Sequence, residues 1–197
     1  MMKNHIKKTI RKTVVGFALL SGIVMVGVNP ASATILKDSN GNSIVAGQEY
    51  YMQPYEFPGQ GLAYEVWSTN HWTKLGSGSG ETVTFEQSGI AVRMKTALYE
   101  LVDAGRFDLP VMHSLYLGIS SQADGVKLNI NNSLENTQWW IPTEPSGNMN
   151  SDFAARNYFA FKNADSNKFM SYTDASGWLY ANKSNMDSKT MWRLVPR

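Results

Sequence analysis

The chain has 197 residues, of which 17% are charged and none is cysteine, and its 18 basic residues slightly outnumber its 16 acidic ones. Five of the 18 basic residues and none of the 16 acidic ones lie in the first 33 positions, which leaves 13 basic against 16 acidic residues in the other 164. This balance argues against a nucleic-acid-binding protein, which needs a basic surface. The lack of cysteine excludes disulfides, thiol catalysis and thiolate metal sites.

Residues 1–33 have the three parts of a secretory signal peptide. A basic head at 3–12 is followed by an apolar run at 14–28 and by Ala-Ser-Ala at 31–33, the small-residue pattern of a cleavage site. The apolar run is short for a membrane span, and polar sequence follows it at once. We therefore predict that cleavage releases a secreted, extracellular protein without a membrane span, and that residues 34–197 form a single domain.

The first predicted strands form an opening hairpin. Asn40-Gly41 is a dipeptide favoured in tight two-residue turns, because both residues tolerate the positive φ values that such turns need. The pattern Leu-x-Asp-x-Asn-Gly-Asn-x-Ile at 36–44, followed by Tyr-x-Met at 50–52, resembles the N-terminal signature of the Kunitz family of soybean-trypsin-inhibitor type. The resemblance implies a β-trefoil, in which twelve strands form three four-strand units around a pseudo-threefold axis. Two later segments agree with that family more loosely: 137–141 and 157–161.

Short runs rich in β-branched and aromatic residues, separated by turn residues, predict twelve strands. These lie at 50–53, 62–67, 72–75, 82–87, 90–95, 115–120, 126–130, 138–141, 158–162, 168–172, 178–181 and 191–195. No long run has helical spacing and caps, and three groups of four strands fit a closed architecture with few free edges. The residues therefore favour an all-β fold class, and with the resemblance a β-trefoil of three four-strand units.

The chain also contains an internal repeat. Shifting residues 117–140 forward by 52 positions lays Trp140 on Trp192 without a gap. Repeats of this kind are supersecondary units that bury their apolar faces against one another. We expect Trp140 and Trp192, with Phe85 in a more divergent first unit, to be core residues.

The second unit carries an insertion at 96–113. Its first part, 97–102, is compatible with a turn of helix or with an extra strand. Long loops in compact domains are often functional, so this insertion is a candidate contact surface.

The sequence favours recognition over catalysis. It has no nucleophile elbow, phosphate loop, metal-ligand cluster or paired-carboxylate motif. We therefore predict a non-enzymatic, monomeric protein with no metal and no cofactor, whose partner is an extracellular protease or a glycan.

The first hypothesis is a protease inhibitor, as the family resemblance implies. In that family an exposed, substrate-like loop between the fourth and fifth strands enters the protease cleft, and its pre-organisation lowers the ordering cost of binding. The corresponding inhibitory loop here consists of Glu86, Gln87, Ser88, Gly89 and Ile90, and we predict that Arg93 is the anchor closest to it.

The alternative is a carbohydrate-binding module like those of ricin-type lectins, or a toxin component that binds cell-surface glycans. Gln138-x-Trp140 resembles the lectin Gln-x-Trp motif. A sugar site needs an aromatic plate for the apolar face of the ring and a carboxylate or amide for its hydroxyl groups. Two groups combine these residue types: Trp178 with Asp174 and Asn182, and Trp67 and Trp72 with Asn70. A toxin or surface protein that binds a protein partner would share all of these features.

Overall fold

The computed structural model describes residues 35–68, 70–102, 110–120, 124–130, 136–146 and 151–197. The predicted signal peptide lies outside the described residues. Within them the chain forms twelve strands and one short helix, α1 (Ser151–Ala155). The strands are β1 (Tyr50–Pro54), β2 (Gln60–Trp67), β3 (Asn70–Ser77), β4 (Thr82–Ser88), β5 (Ala91–Val102), β6 (Val111–Ile119), β7 (Val126–Ile130), β8 (Trp140–Thr143), β9 (Tyr158–Asn163), β10 (Phe169–Tyr172), β11 (Leu179–Lys183) and β12 (Trp192–Pro196).

Every predicted strand has a counterpart in the structure, so the all-β class is confirmed. Two single turns of 3-10 helix, Asn136–Gln138 and Ser188–Thr190, complete the regular structure of the described residues. In that part of the chain no helix has the length and apolar character needed to cross a membrane.

Six of the strands close into a barrel. β1 pairs with β4, β4 with β5, β5 with β8, β8 with β9, β9 with β12, and β12 returns to β1, all antiparallel. The narrowest contact in this ring is the pairing of Val92 on β5 with Trp140 on β8. Closure satisfies the backbone groups that an open sheet would leave exposed along its edges.

This pairing corrects the predicted β-trefoil of three four-strand units. Barrel closure joins strands that the sequence assigned to different units, namely β4 to β5, β8 to β9 and β12 to β1. The parts outside the barrel are also unequal, because β5 and β6 continue well beyond the length of β10 and β11. Strands pair with whichever edge satisfies their backbone groups, and here they make a closed six-stranded barrel with attached hairpins.

Three hairpins extend from the barrel: β2–β3, β6–β7 and β10–β11. They contact each other as well, since β3 pairs with β7 at Trp72 and Lys127. Isolated bridges join Lys74 to Trp178, and Gly125 to Tyr180. The β2–β3 hairpin is therefore held against both of the others.

Residues 97–102 of the insertion continue strand β5 and do not form the turn of helix that the sequence also allowed. β5 runs to Val102 and pairs with β6 from Val111 onward, after a bulge between Lys95 and Tyr99. Residues 103–109 lie outside the described part of the chain. The extra strand that the sequence allowed is therefore the continuation of β5.

The core lies inside the barrel and under the hairpins. Phe85, Trp140 and Trp192 are all buried, as the repeat predicts. Phe85 stacks on Phe161 with ring centroids 6.3 Å apart. The Trp140 indole donates a hydrogen bond from Nε1 to the Leu117 carbonyl at 2.9 Å.

The two core tryptophans differ in one polar atom, which gives a test of their energetics. Trp192 Nε1 is buried without an acceptor among the described residues, whereas the nitrogen of Trp140 has one. Trp140→Phe removes a hydrogen bond and Trp192→Phe does not, so we expect Trp140→Phe to cost about 1 kcal/mol more in unfolding free energy. Denaturant unfolding of the two variants measures the difference. Equal losses of unfolding free energy would contradict the hydrogen bond assigned to Trp140 Nε1.

Candidate ligand-binding site

The outer face of the β2–β3 hairpin carries an aromatic surface. Side chains alternate between the two faces of a strand, and Tyr64 and Thr73 point inward, where Thr73 is buried and Tyr64 packs on the core. Glu65, Trp67 and Trp72 therefore point outward. The structure in this way puts the predicted residues Trp67, Asn70 and Trp72 on one face of the hairpin.

This face forms one wall of a cleft of about 490 Å³. The opposite wall is formed by Trp178, which directly precedes β11, and by Tyr180 near the start of that strand. Two sequence-predicted groups, around Trp178 and around Trp67, thus meet in a single site. The full lining consists of Glu65, Trp67, Trp72, Gly125, Trp178, Leu179 and Tyr180.

Backbone pairing fixes the positions of the aromatic rings. Lys74 on β3 bridges to Trp178, and Gly125 bridges to Tyr180, so both walls are joined through hydrogen-bonded backbone. Gly125 also allows close approach, because a Cβ there would lie 2.6 Å from the Cζ3 atom of Trp72. Only a glycine lets the indole rest directly on this backbone.

The three indole side chains of the cleft differ in their exposure to solvent. Trp67 is 70% exposed near the tip of the hairpin, while Trp72 and Trp178 are half-buried. The Trp67 and Trp72 rings lie 6.4 Å apart between centroids with an interplanar angle of 56°. The cleft therefore offers two tilted ring faces on one wall and a third on the other. Beneath the cleft, the pKa of the Tyr64 phenol is raised above its usual range, mainly by burial and secondly by the nearby Glu81 carboxylate.

Charged and amide groups surround these rings. Glu65 and Lys74 form an ion pair at 2.6 Å, and the Lys74 ammonium lies 5.3 Å from the ring centroid of Trp178. On the other side of Trp72, the Lys127 ammonium donates a hydrogen bond to Asn70 Oδ1 at 3.2 Å. The arrangement combines apolar ring faces with hydrogen-bonding groups, which is the chemistry of a small-molecule binding site.

None of the three predicted polar residues lines the cleft, and of these only Asn70 lies next to one of its rings, through its place on the outer face of β3. Asp174 accepts hydrogen bonds from the Ser176 backbone and hydroxyl groups, and so stabilises its own turn. Asn182 lies further along β11, where its Oδ1 accepts a hydrogen bond from the Ser171 hydroxyl. Trp178 is thus the member of its predicted group that contributes to the cleft.

The predicted inhibitory loop is a tight hairpin turn. Glu86, Gln87 and Ser88 are paired in the β4–β5 ladder, and only Gly89 and Ile90 connect the two strands. Gly89 has φ of 58°, as expected at the first position of a type II′ turn. A connection of two residues does not present the extended, unpaired segment of a substrate-like loop.

Arg93, the predicted anchor, is part of a packed cluster. Its guanidinium forms an ion pair with Glu86 at 2.6 Å, and its side chain is 13% exposed. The same group lies over the rings of Tyr116 and Trp139, at 4.6 and 4.9 Å from their centroids. The Tyr116 hydroxyl in turn donates to Glu86 at 2.9 Å. Arg93 therefore stabilises the β4–β5–β6 surface and does not project from it.

These observations define the class of site: an aromatic cleft suited to binding, built on the outer faces of packed hairpins. Across the described ranges, no three His, Asp or Glu side chains are close enough together to hold a metal ion. The inhibitor hypothesis gains no support from the geometry of the β4–β5 turn.

Solved structures share the fold at low sequence identity. A water-soluble chlorophyll protein from Brassica oleracea var. Botrytis, solved with chlorophyll b, is 14% identical at a TM-score of 0.55, and the match covers 82% of this chain and 98% of that one. A lectin from Polyporus squamosus, bound to the epitope Neu5Aca2-6Galb1-4GlcNAc, is 13% identical at a TM-score of 0.53 over 77% of this chain and 50% of that one.

A mosquitocidal holotoxin is also similar, with 12% identity and a TM-score of 0.55 over 80% of this chain and 18% of that one. At these identities the likeness shows the fold alone. Neither a protein-family model nor a curated protein matches the chain. The structural neighbours thus include lectin and toxin proteins.

Sequence reasoning missed several residues of the site, including Glu65, Gly125, Lys127 and Tyr180. Glu65 lies two residues before Trp67, and Tyr180 lies two residues after Trp178. Side chains two residues apart in a strand lie on the same face, so this spacing would have added Glu65 and Tyr180 to the predicted groups. Lys127 lies on β7, which reaches the cleft through its pairing with β3, and Gly125 directly precedes that strand and reaches the cleft through its bridge to Tyr180. No local pattern in the sequence indicates that contact.

The exposure of the indoles predicts their fluorescence. Trp67 is 70% exposed and Trp140 is fully buried, so acrylamide reaches the first ring far more easily. We expect Trp67→Phe to remove a larger share of the quenchable emission than Trp140→Phe. Stern–Volmer quenching of both variants measures this, and equal shares would show that Trp67 is covered in solution.

Proposed function

We propose that this protein is a secreted carbohydrate-binding protein of the lectin or toxin-component kind, and that it holds a glycan in the cleft of Trp67, Trp72 and Trp178. The observation that carries the proposal is the convergence of three indole rings from two hairpins on one cleft of about 490 Å³. Sugar rings have apolar faces that stack on indoles and hydroxyl groups that need polar partners. Both kinds of partner are present here.

The polar partners lie where a stacked sugar would need them. Glu65 lines the cleft and accepts hydrogen bonds, and its partner Lys74 donates them beside Trp178. Asn70 and Lys127 add a second pair of polar groups next to Trp72. A few fixed polar groups around apolar walls are what gives a small-molecule site its orientation and specificity.

The structural neighbours support the same proposal at the level of the fold. One of them is a lectin bound to a trisaccharide epitope, and another is a holotoxin. Fold does not determine function, so this support is secondary to the cleft itself.

We infer that the protein acts by binding and not by catalysis. Glycoside hydrolysis ordinarily needs two carboxyl groups flanking the scissile bond. Among the described residues that line the cleft, Glu65 is the one acid, and it is held in an ion pair with Lys74. Such a carboxylate is suited to accept hydrogen bonds from sugar hydroxyls.

The proposal predicts that Trp178→Ala weakens glycan binding at least tenfold, about 1.4 kcal/mol, because it removes one ring face. A glycan array selects the saccharide, and calorimetry then measures its dissociation constant for the wild-type protein and the variant.

Trp139→Ala is a matched control. Trp139 is also half-buried beneath a cation, since Arg93 lies 4.9 Å from its ring centroid, but it is outside the cleft. We expect the glycan affinity of Trp139→Ala to stay within about twofold of that of the wild-type protein. Melting temperatures first establish that both variants are folded. Equal losses in the two variants would contradict the proposed site. A wild-type protein that bound no glycan on the array would contradict the proposed function, and inhibition of a protease would then favour the other hypothesis.

A further inference from the structure

The charges around the cleft indicate which glycans it selects. Glu65 and Lys74 neutralise each other at 2.6 Å, so this pair adds little net charge. Lys127 has an amide partner, Asn70, and no carboxylate partner among the residues that the structure describes. The charges of Glu65, Lys74 and Lys127 therefore sum to one positive charge, that of Lys127, which lies beside Trp72.

Lys127 is held close to the aromatic surface by backbone pairing. It lies directly opposite Trp72 across the β3–β7 pair, and Trp72 lies opposite Glu65 across β2–β3. The three side chains make one row on the outer face of the sheet, with the indole between a carboxylate and an ammonium. The hydrogen bond to Asn70 draws the ammonium toward the Trp67 end of the cleft, because Asn70 is opposite Trp67.

Three tryptophans beside an acid also suggest a cage for a cationic ligand, since cations bind over indole faces. Two observations argue against that alternative here. The Lys74 ammonium already lies 5.3 Å from the Trp178 ring centroid, so that face has a cation of its own. Lys127, whose described partner is the neutral Asn70 amide, flanks Trp72 and would repel a cationic ligand in the cleft.

From this geometry we propose that the cleft prefers acidic saccharides, in which a carboxylate or sulfate group binds Lys127 while the sugar ring stacks on Trp72. The inference rests on the proposed glycan-binding function and specifies its ligand class. An ammonium forms a charge-assisted hydrogen bond with an anionic oxygen, stronger than its bond to the neutral Asn70 amide. Apolar walls strengthen such an attraction, because they concentrate the electric field of a nearby charge.

The test compares matched saccharides on one array. Each acidic glycan is printed beside its neutral counterpart: sialylated with desialylated, sulfated with desulfated, and uronate with carboxyl-reduced. We expect at least one acidic class to bind about tenfold or more tightly than its neutral partner. The sialylated, uronate and sulfated arms distinguish a carboxylate ligand from a sulfate ligand.

Lysine variants connect the preference to the site. Lys127→Ala is expected to abolish the acidic preference, so that each acidic glycan and its neutral partner bind the variant with affinities within about twofold of each other, while Lys127→Arg retains the preference. Lys162→Ala is the charge-matched control, because Lys162 is a half-buried lysine over the Phe169 ring, outside the cleft lining.

The outcomes separate this inference from the function on which it rests. Equal binding of acidic and neutral glycans, lost together in Trp178→Ala, would overturn the acidic preference and leave the glycan-binding function intact. A preference that survived Lys127→Ala unchanged would also overturn the role of Lys127. Binding to no glycan of either kind would overturn both proposals.

Discussion

Antiparallel pairing of the first and last strands of the barrel is the constraint on which the rest of the structure depends. β1 and β12 run side by side from Tyr50 opposite Pro196, and this pair closes the sheet on itself. Closure removes the exposed edges of an open sheet and fixes where each hairpin leaves the barrel. The hairpins then contact each other through β3 and β7, at Trp72 and Lys127. The cleft exists because these hairpins cannot spread apart.

The same residue type has two roles in this molecule, separated by the face of the strand on which it lies. Trp140 and Trp192 are fully buried and stabilise the core, whereas Trp67 is 70% exposed. A single exposed aromatic side chain is ordinary on a protein surface. Three incompletely buried tryptophan side chains that converge on one cleft contribute less to stability than they would in the core. Exposed apolar patches of this kind are typical of binding sites. The distribution of indoles therefore separates the stabilising surface of the sheet from its recognition surface.

The strands and the main core residues could be predicted from the sequence, whereas the strand pairing and the cleft depend on contacts between distant segments. Local patterns predicted the twelve strands and the burial of Trp140 and Trp192, because burial and turn chemistry act over a few residues. They predicted a closed architecture but not which six strands close the barrel, nor that Trp67 and Trp178 share one cleft. Those features depend on pairing between strands far apart in sequence. Asp174 was a reasonable candidate by residue type, but local hydrogen bonds hold its carboxylate in a turn.

The family-like pattern at 36–52 illustrates why a long motif can carry little functional information. Asp38 accepts hydrogen bonds from the backbone of Asn40 and Asn42, and Gly41 has φ of 86°, so the central positions build a turn. The apolar positions of the pattern, at both of its ends, are buried in the core or packed on it. Residues that shape an opening turn and fill a core are constrained by folding and say little about which surface binds a partner. The cleft tryptophans belong to no such pattern, and the proposed glycan binding, not the packing of the core, accounts for the exposure of Trp67.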